Sequence, residues 1–261
     1  MECTDQMGRR VALHHPPQRI VSLVPSQTEL LYDLQAGNRV AGQTQFCIHP
    51  RHAWKKATKV GGTKKLTLEK IAGLQPDLII GNKEENEQSQ IEWLSARFPV
   101  WMSDIYNLPD ALDMIQGVGL ITGCGEKAEQ LVQEIEAAFA GLAEMPERTA
   151  LYLIWRNPWM AAGRKTFIHD MLQRAGFQNA LPYPESRYPA LTPEEMADLN
   201  PGVILLSSEP YPFREKHIQE LQTLIPGAAI CLADGEMFSW YGSRLLKAPE
   251  YFRDLRNQIQ S

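Results

Sequence analysis

Cys47, His49 and His52 form the spacing C-x-H-x-x-H in a stretch rich in loop-forming residues. A thiolate and two imidazoles suit zinc or another borderline-soft ion, so the trio could serve a metal carrier or a metal-dependent enzyme. A tetrahedral set needs a fourth donor, and no second cluster in the sequence supplies it. The competing reading is a packed thiol beside two loop histidines. His169 falls in a helical stretch and His14, His15 and His217 in polar ones, where solvated side chains are expected rather than general bases. Enzyme signatures are missing elsewhere. The glycines of residues 117–123, GVGLITG, lie late in a helical pattern and not at a strand-to-helix turn, which fails the dinucleotide fingerprint. GRKT at residues 163–166 lacks the phosphate-loop frame, and there is no G-x-S-x-G.

Aromatic, proline-containing stretches carry more. Trp155-Arg156-Asn157-Pro158-Trp159, Tyr183-Pro184-Glu185-Ser186-Arg187-Tyr188, Glu209-Pro210-Tyr211-Pro212-Phe213 and Met237-Phe238-Ser239-Trp240-Tyr241 all follow strand candidates, as do Phe46 and Trp101 earlier in the chain. A lone aromatic is more often core, but several in polar loops suit a large, flat, partly apolar ligand held in a crevice. Glu69 and Glu194 open two matching short helices. Helix-dipole stabilisation explains them without any function. A symmetric pair of carboxylates docking onto a basic partner explains them equally well.

These residues are positioned by alternating strand and helix patterns. Apolar runs at residues 19–24, 40–43, 77–81 and 100–102, separated by helical patterns at 27–35, 67–74, 86–97 and 109–122, predict a parallel sheet covered on both faces. Residues 125–145 then predict one long amphipathic helix stopped by Pro146. Beyond it the chain starts again, with a strand at 149–155, a helix at 166–175 and a polar loop at 182–191. The two halves are related internally. Residues 68–80 and 193–205 share the pattern Glu, two residues, Ala, x, Leu, x, Pro, x, then an apolar strand, at an offset of 125 (194 minus 69), and the strands opening at Arg19 and Arg148 and at Val100 and Ala229 are offset by 129 (148 minus 19, 229 minus 100). The expected fold is α/β: two Rossmann-like lobes with parallel sheets, residues 1–122 and 148–261, joined by one backbone helix at 123–147.

With 44% hydrophobic and 22% charged residues in 261, the chain can build real cores. A net charge of −5 with mixed signs offers no footprint for nucleic acid or an anionic membrane. Four cysteines, Cys3, Cys47, Cys124 and Cys231, lie far apart without a CxxC pair and are expected as free thiols. The opening MECTDQMGRRVALHHPP lacks the basic start and apolar core of a secretory signal.

Several stretches together resemble one known family: Arg19-Ile20-Val21-Ser22-Leu23-Val24-Pro25-Ser26 with Thr28-Glu29-Leu30, Val60-Gly61-Gly62, Leu68-Glu69-Lys70-Ile71 with Pro76-Asp77-Leu78-Ile79, and Trp240-Tyr241-Gly242-Ser243-Arg244. Over nearly its whole length the chain resembles the helical-backbone substrate-binding proteins of ABC importers, which deliver corrinoids, haem and ferric siderophores, and is most similar to the cobalamin-binding branch. The resemblance implies a non-enzymatic, monomeric binder that needs no cofactor and holds a corrinoid or other metal chelate between two lobes. It implies docking on an ABC permease through Glu69 and Glu194, and ligand contacts at positions matching Phe46, Trp159, Tyr188, Glu236 and Trp240; Trp101, Tyr241 and Arg244 complete the candidate set. It also implies a periplasmic or cell-surface location. The sequence as given carries no export signal, which keeps a cytoplasmic location as the alternative, and its Cys-Ile-His-Pro loop departs from the cobalamin binders.

Overall fold

A computed structural model describes residues 1–14, 16–142, 148–182 and 186–260. The chain divides into two compact units: Met1–Ile105 with Pro109–Ile135 and Tyr241–Arg244, and Tyr106–Leu108 with Glu136–Trp240 and Leu245–Ser261.

In the first unit a small antiparallel ribbon, β1 (Glu2–Thr4) with β2 (Arg10–Ala12), precedes the main sheet. Then follow β3 (Ile20–Ser22), α1 (Pro25–Asp33), β4 (Val40–Gln43), α2 (Arg51–Trp54), β5 (Thr58–Lys59), α3 (Leu68–Gly73), β6 (Leu78–Asn82), α4 (Gln88–Ser95), β7 (Val100–Ser103) and α5 (Leu108–Thr122). The five strands run in the order β5-β4-β3-β6-β7, all parallel. The residues of β3, β6 and β7 are buried throughout, as the continuous apolar runs require of a sheet covered on both faces. Trp101 of β7 belongs to this core. It is 2% exposed and lies against α5, where a Cβ on Gly117 would stand 2.9 Å from its ring. The other glycine of that run, Gly119, brings α5 against the next helix: a Cβ there would meet the Ala128 Cβ at 2.2 Å. The glycine-rich run is therefore a packing device.

Helix α6 (Gly125–Ala140) contains the division between the two compact units, which falls after Ile135. The helix ends at Ala140; the expected extension to Met145 and the stop at Pro146 lie outside the described residues, as do His15 and Tyr183, Pro184 and Glu185.

The second unit continues with β8 (Arg148–Trp155), β9 (Trp159–Ala161), α7 (Phe167–Arg174), β10 (Phe177–Asn179), β11 (Ala190–Leu191), α8 (Pro193–Asp198), β12 (Val203–Ser207), α9 (Glu215–Leu224), β13 (Ala229–Ala233), α10 (Gly235–Ser239) and α11 (Ala248–Gln260). Its sheet runs β11-β9-β8-β12-β13, with β10 also pairing with β8. This sheet is mixed: β8, β10, β12 and β13 are parallel, whereas β9 is antiparallel to β8 and β11 to β9. The internal repeat holds in which strands pair, with the register one residue beyond the offset of 129. Leu78 pairs with Ile20 in the first sheet, and Val203 with Ala150 in the second; Ile79 pairs with Val100, and Ile204 with Ile230. Gln75 and Asn200 are equivalent too, each left-handed (φ 46° and 44°) between a short helix and its proline.

Candidate functional site

In open α/β sheets, ligand-contacting side chains gather where the strands end at their carboxyl edge. In the first unit the loop after β4 is the most distinctive such place. Gln43 Nε2 donates to the Cys47 carbonyl at 2.7 Å, and Cys47 N donates to the Thr44 carbonyl at 3.2 Å, closing a tight turn. The turn points the Cys47 side chain inward, where its Sγ lies 3.1 Å from both Thr28 Oγ1 and Thr44 Oγ1. It points Phe46 outward, 53% exposed, with Gly62 beneath it: a Cβ on Gly62 would stand 3.1 Å from the phenyl edge. Ile48 and Trp54 are exposed on the same stretch, and Trp54 Nε1 is fixed on the Gln45 carbonyl at 3.1 Å.

This geometry corrects the metal expectation. Cys47 is fully buried, burial pushes its thiol up despite the two hydroxyl partners, and His52 sets its ring edge-on to Tyr32 at 6.4 Å. Cys47, His49 and His52 do not converge, and among the described residues no three His, Cys, Asp or Glu side chains could hold a metal ion. All four cysteines are free thiols. Cys47 should resist iodoacetamide at neutral pH in the folded protein and alkylate only in denaturant, because the thiolate is the reactive form and burial disfavours it. Mass spectrometry of the labelled protein checks this. Rapid native labelling at Cys47 would contradict the buried-anchor role.

Tyr241 and Arg244 also differ from expectation. The Tyr241–Arg244 segment packs on α1 of the first unit so closely that a Cβ on Gly242 would stand 2.6 Å from the Ser26 carbonyl oxygen. Ser243 Oγ donates to Asp33 Oδ2, and Arg244 makes a two-pronged ion pair with Glu29 at 2.6 and 2.9 Å. Tyr241 is buried and the Arg244 charge is matched by Glu29, so both are packing residues of this unit. Trp101 is buried in the same way.

In the second unit the loops after β12 and β13 form one bonded system, which Tyr152 of β8 joins from within its strand. Glu209 is central to it: its Oε1 accepts from Ser239 Oγ at 2.7 Å and Trp240 Nε1 at 2.9 Å, and burial raises its carboxyl above the ordinary range. Ser207 Oγ donates to the Glu209 carbonyl at 2.5 Å and lies 3.1 Å from the Tyr152 hydroxyl. Trp240 is thus a buried strut, 6% exposed, in place of a loop aromatic. Trp159 is likewise core: it lies in β9, stacked on Phe213 with ring centres 6.0 Å apart and planes 2° from parallel, beneath the Arg156 guanidinium. His217, expected as solvated, is buried in α9; its Nδ1 accepts from Arg214 N at 2.9 Å, and desolvation lowers its pKa. Glu236 is half-buried in the first turn of α10, and Tyr188 is half-buried after Arg187.

Among the described residues of the second unit, the exposed aromatics are Trp155, edge-on to Tyr211 at 5.7 Å, and Tyr106. Trp155 is one of the loop aromatics that the sequence points to, whereas Tyr106 and, in the first unit, Trp54 carry no such signal. Glu69 and Glu194 are both exposed at the second position of α3 and α8. Thr192 accepts from Glu195 N in a capping box, whereas Thr67 makes no side-chain cap. The Glu194 carboxyl is held below the ordinary range, first by its own backbone N–H and then by the Thr192 hydroxyl.

A profile of the family described as periplasmic binding protein matches residues 20–225 of the chain. The chain is 27% identical over 213 residues to an uncharacterised ABC transporter substrate-binding lipoprotein, YvrC, of Bacillus subtilis (strain 168), covering 77% of this chain and 67% of the relative. It is 25% identical over 197 residues to the vitamin B12-binding protein of Vibrio vulnificus (strain CMCP6), covering 74% and 72%. Among solved structures it is similar to the periplasmic haem-binding protein RhuT of Roseiflexus sp. RS-1, with a TM-score of 0.76 and 22% identity over 93% of this chain and 97% of the other. That last likeness concerns the fold.

Proposed function

Because this chain belongs to the periplasmic binding protein family, we propose that it is the substrate-binding protein of an ABC importer and takes a corrinoid or a related metal chelate, such as haem or a ferric siderophore. The observation that carries this is the exposure of rigid aromatic rings at strand ends, Phe46 above all. An apolar ring that is 53% exposed and braced on a glycine is poised to stack on a flat macrocycle. Tyr188 and Glu236 are the remaining candidate contacts from the second unit. The protein binds without catalysis and hands its ligand to a permease docked through Glu69 and Glu194. It works where its family works, in the periplasm or on the outer cell surface.

Titrating the purified protein with cyanocobalamin, haemin and a ferric siderophore tests the reading. At least one should change its absorption spectrum and raise the melting temperature; a ligand at a hundred times its Kd stabilises by about 2.7 kcal/mol. No spectral or thermal response to any of them would overturn it.

A further inference from the structure

The whole-chain charge of −5 conceals a strongly basic stretch in the first unit. Residues 51–70 hold seven lysines and arginines against one acid, Glu69, a local charge of +6 (7 minus 1). The rest of the chain, with 19 of the 26 cations and 30 of the 31 acids, carries −11 (19 minus 30). The centre of the stretch is α2 and the turn after it. Arg51, Lys55 and Lys56 are all exposed there, and their side chains make no hydrogen bond or ion pair among the described residues. Trp54 stands between them, 38% exposed, and Ile48, 42% exposed, lies on the loop that leads into the helix. These pieces are joined into one platform. Trp54 Nε1 donates to the Gln45 carbonyl, Gln45 N donates to the Gly61 carbonyl at 2.8 Å, and Lys59 donates to the Trp54 carbonyl with its ammonium 5.0 Å from the Trp54 ring centre.

An indole and an aliphatic side chain exposed among unpaired cations offer a surface two kinds of contact at once. Lysine and arginine reach phosphates while their ends stay in water, and the apolar side chains enter the headgroup boundary, where tryptophan is favoured. An acidic protein surface would match the cations and not the apolar pair; a lipid interface matches both. We infer that the Arg51–Lys56 face of the first unit docks on the headgroups of an anionic phospholipid bilayer. The −11 carried by the other residues is repelled by the same surface, so the contact also orients the molecule. Glu69 stands near the end of the same stretch, and a lipid contact there would hold it close to the bilayer in which a permease lies. That use of the contact rests on the permease-docking reading; the contact itself does not.

Vesicle flotation tests it, with neither ligand nor permease present. At low ionic strength the full chain should float with vesicles of phosphatidylcholine and phosphatidylglycerol in equal parts and not with phosphatidylcholine alone. Salt at about 1 M, where the screening length falls to about 3 Å, should release it. Arg51→Gln with Lys55→Gln and Lys56→Gln should weaken binding about a hundredfold, at about fivefold for each cation near the surface. Ile48→Ser should weaken it by about three- to tenfold through lost apolar burial. A control that removes the same charge from exposed positions elsewhere, Lys127→Gln with Lys216→Gln and Lys247→Gln, should bind like the wild type. Melting temperature serves as the folding control throughout. Equal weakening by the control would mean that the vesicles sense only total charge, and no binding of the wild type to the anionic vesicles would mean that there is no lipid contact; each overturns the inference. If the wild type ignores anionic vesicles but binds a permease held in phosphatidylcholine, and the triple variant at Arg51, Lys55 and Lys56 does not, the face belongs to an acidic protein partner, which overturns it too. The chelate titration tests the binding role separately and is untouched by any of these outcomes.

Discussion

Replacing Arg244 with alanine should destabilise the first unit by about 3–5 kcal/mol, read from denaturant unfolding. The size follows from where the pair sits. An exposed ion pair contributes about 0–1 kcal/mol, because water already solvates both charges. Here the Arg244 and Glu29 side chains are only 9% and 13% exposed, and both prongs of the guanidinium are engaged, so truncation strands a buried carboxylate. Replacing both together, Arg244→Met with Glu29→Leu, should recover most of the loss, since the stranded charge and not the missing attraction dominates. A loss below about 1 kcal/mol in the single variant would contradict this account. A large loss of ligand affinity without a loss of stability would restore the direct ligand contact that the sequence pattern suggests.

The second large effect is on transport. Glu69→Ala combined with Glu194→Ala should leave ligand affinity and melting temperature near the wild type and abolish import in a reconstituted permease assay. Both carboxylates are exposed, both occupy the second position of equivalent helices, and neither is tied into its unit's core, so their charges are available to a basic partner. Glu194 has an added property: its depressed carboxyl stays ionised as the medium acidifies and loses its charge only below the ordinary carboxylate range. Docking through that unit should therefore persist to lower pH than an ordinary carboxylate would allow. Normal import by the double variant, with a lowered melting temperature, would return both residues to plain helix support.

The parts of this molecule that were legible in its sequence are those written in contiguous residues. The Glu-to-Pro pattern shared by residues 68–80 and 193–205 encodes a short helix, a left-handed residue and a buried strand, and both copies adopt it, down to Gln75 and Asn200. The β9–β11 pairing was hidden because three- and two-residue strands leave no period to count. Aromatic fate was hidden for a different reason. Trp101 is buried because Gly117 makes room for it, and Trp240 because Glu209 accepts its indole N–H, while Phe46 is exposed because a four-residue turn sends Cys47 inward instead. Each depends on a partner that sequence proximity does not announce. Tyr106 is the extreme case, since the Arg187 guanidinium that lies 5.1 Å from its ring centre comes 81 residues later (187 minus 106).

The Tyr241–Arg244 segment bears on how the protein comes to be made. Glu29 and Asp33 emerge early in synthesis, yet the residues that match them, Arg244 and Ser243, are translated near the end. Until then α1 carries an unmatched carboxylate on a face built to be covered. The first unit is therefore not a piece of gene that can be cut out at residue 135, and its folding cannot be completed on the ribosome ahead of the rest. A chain that ends before Tyr241 should stall with its first half unfinished, however intact the two sheets are.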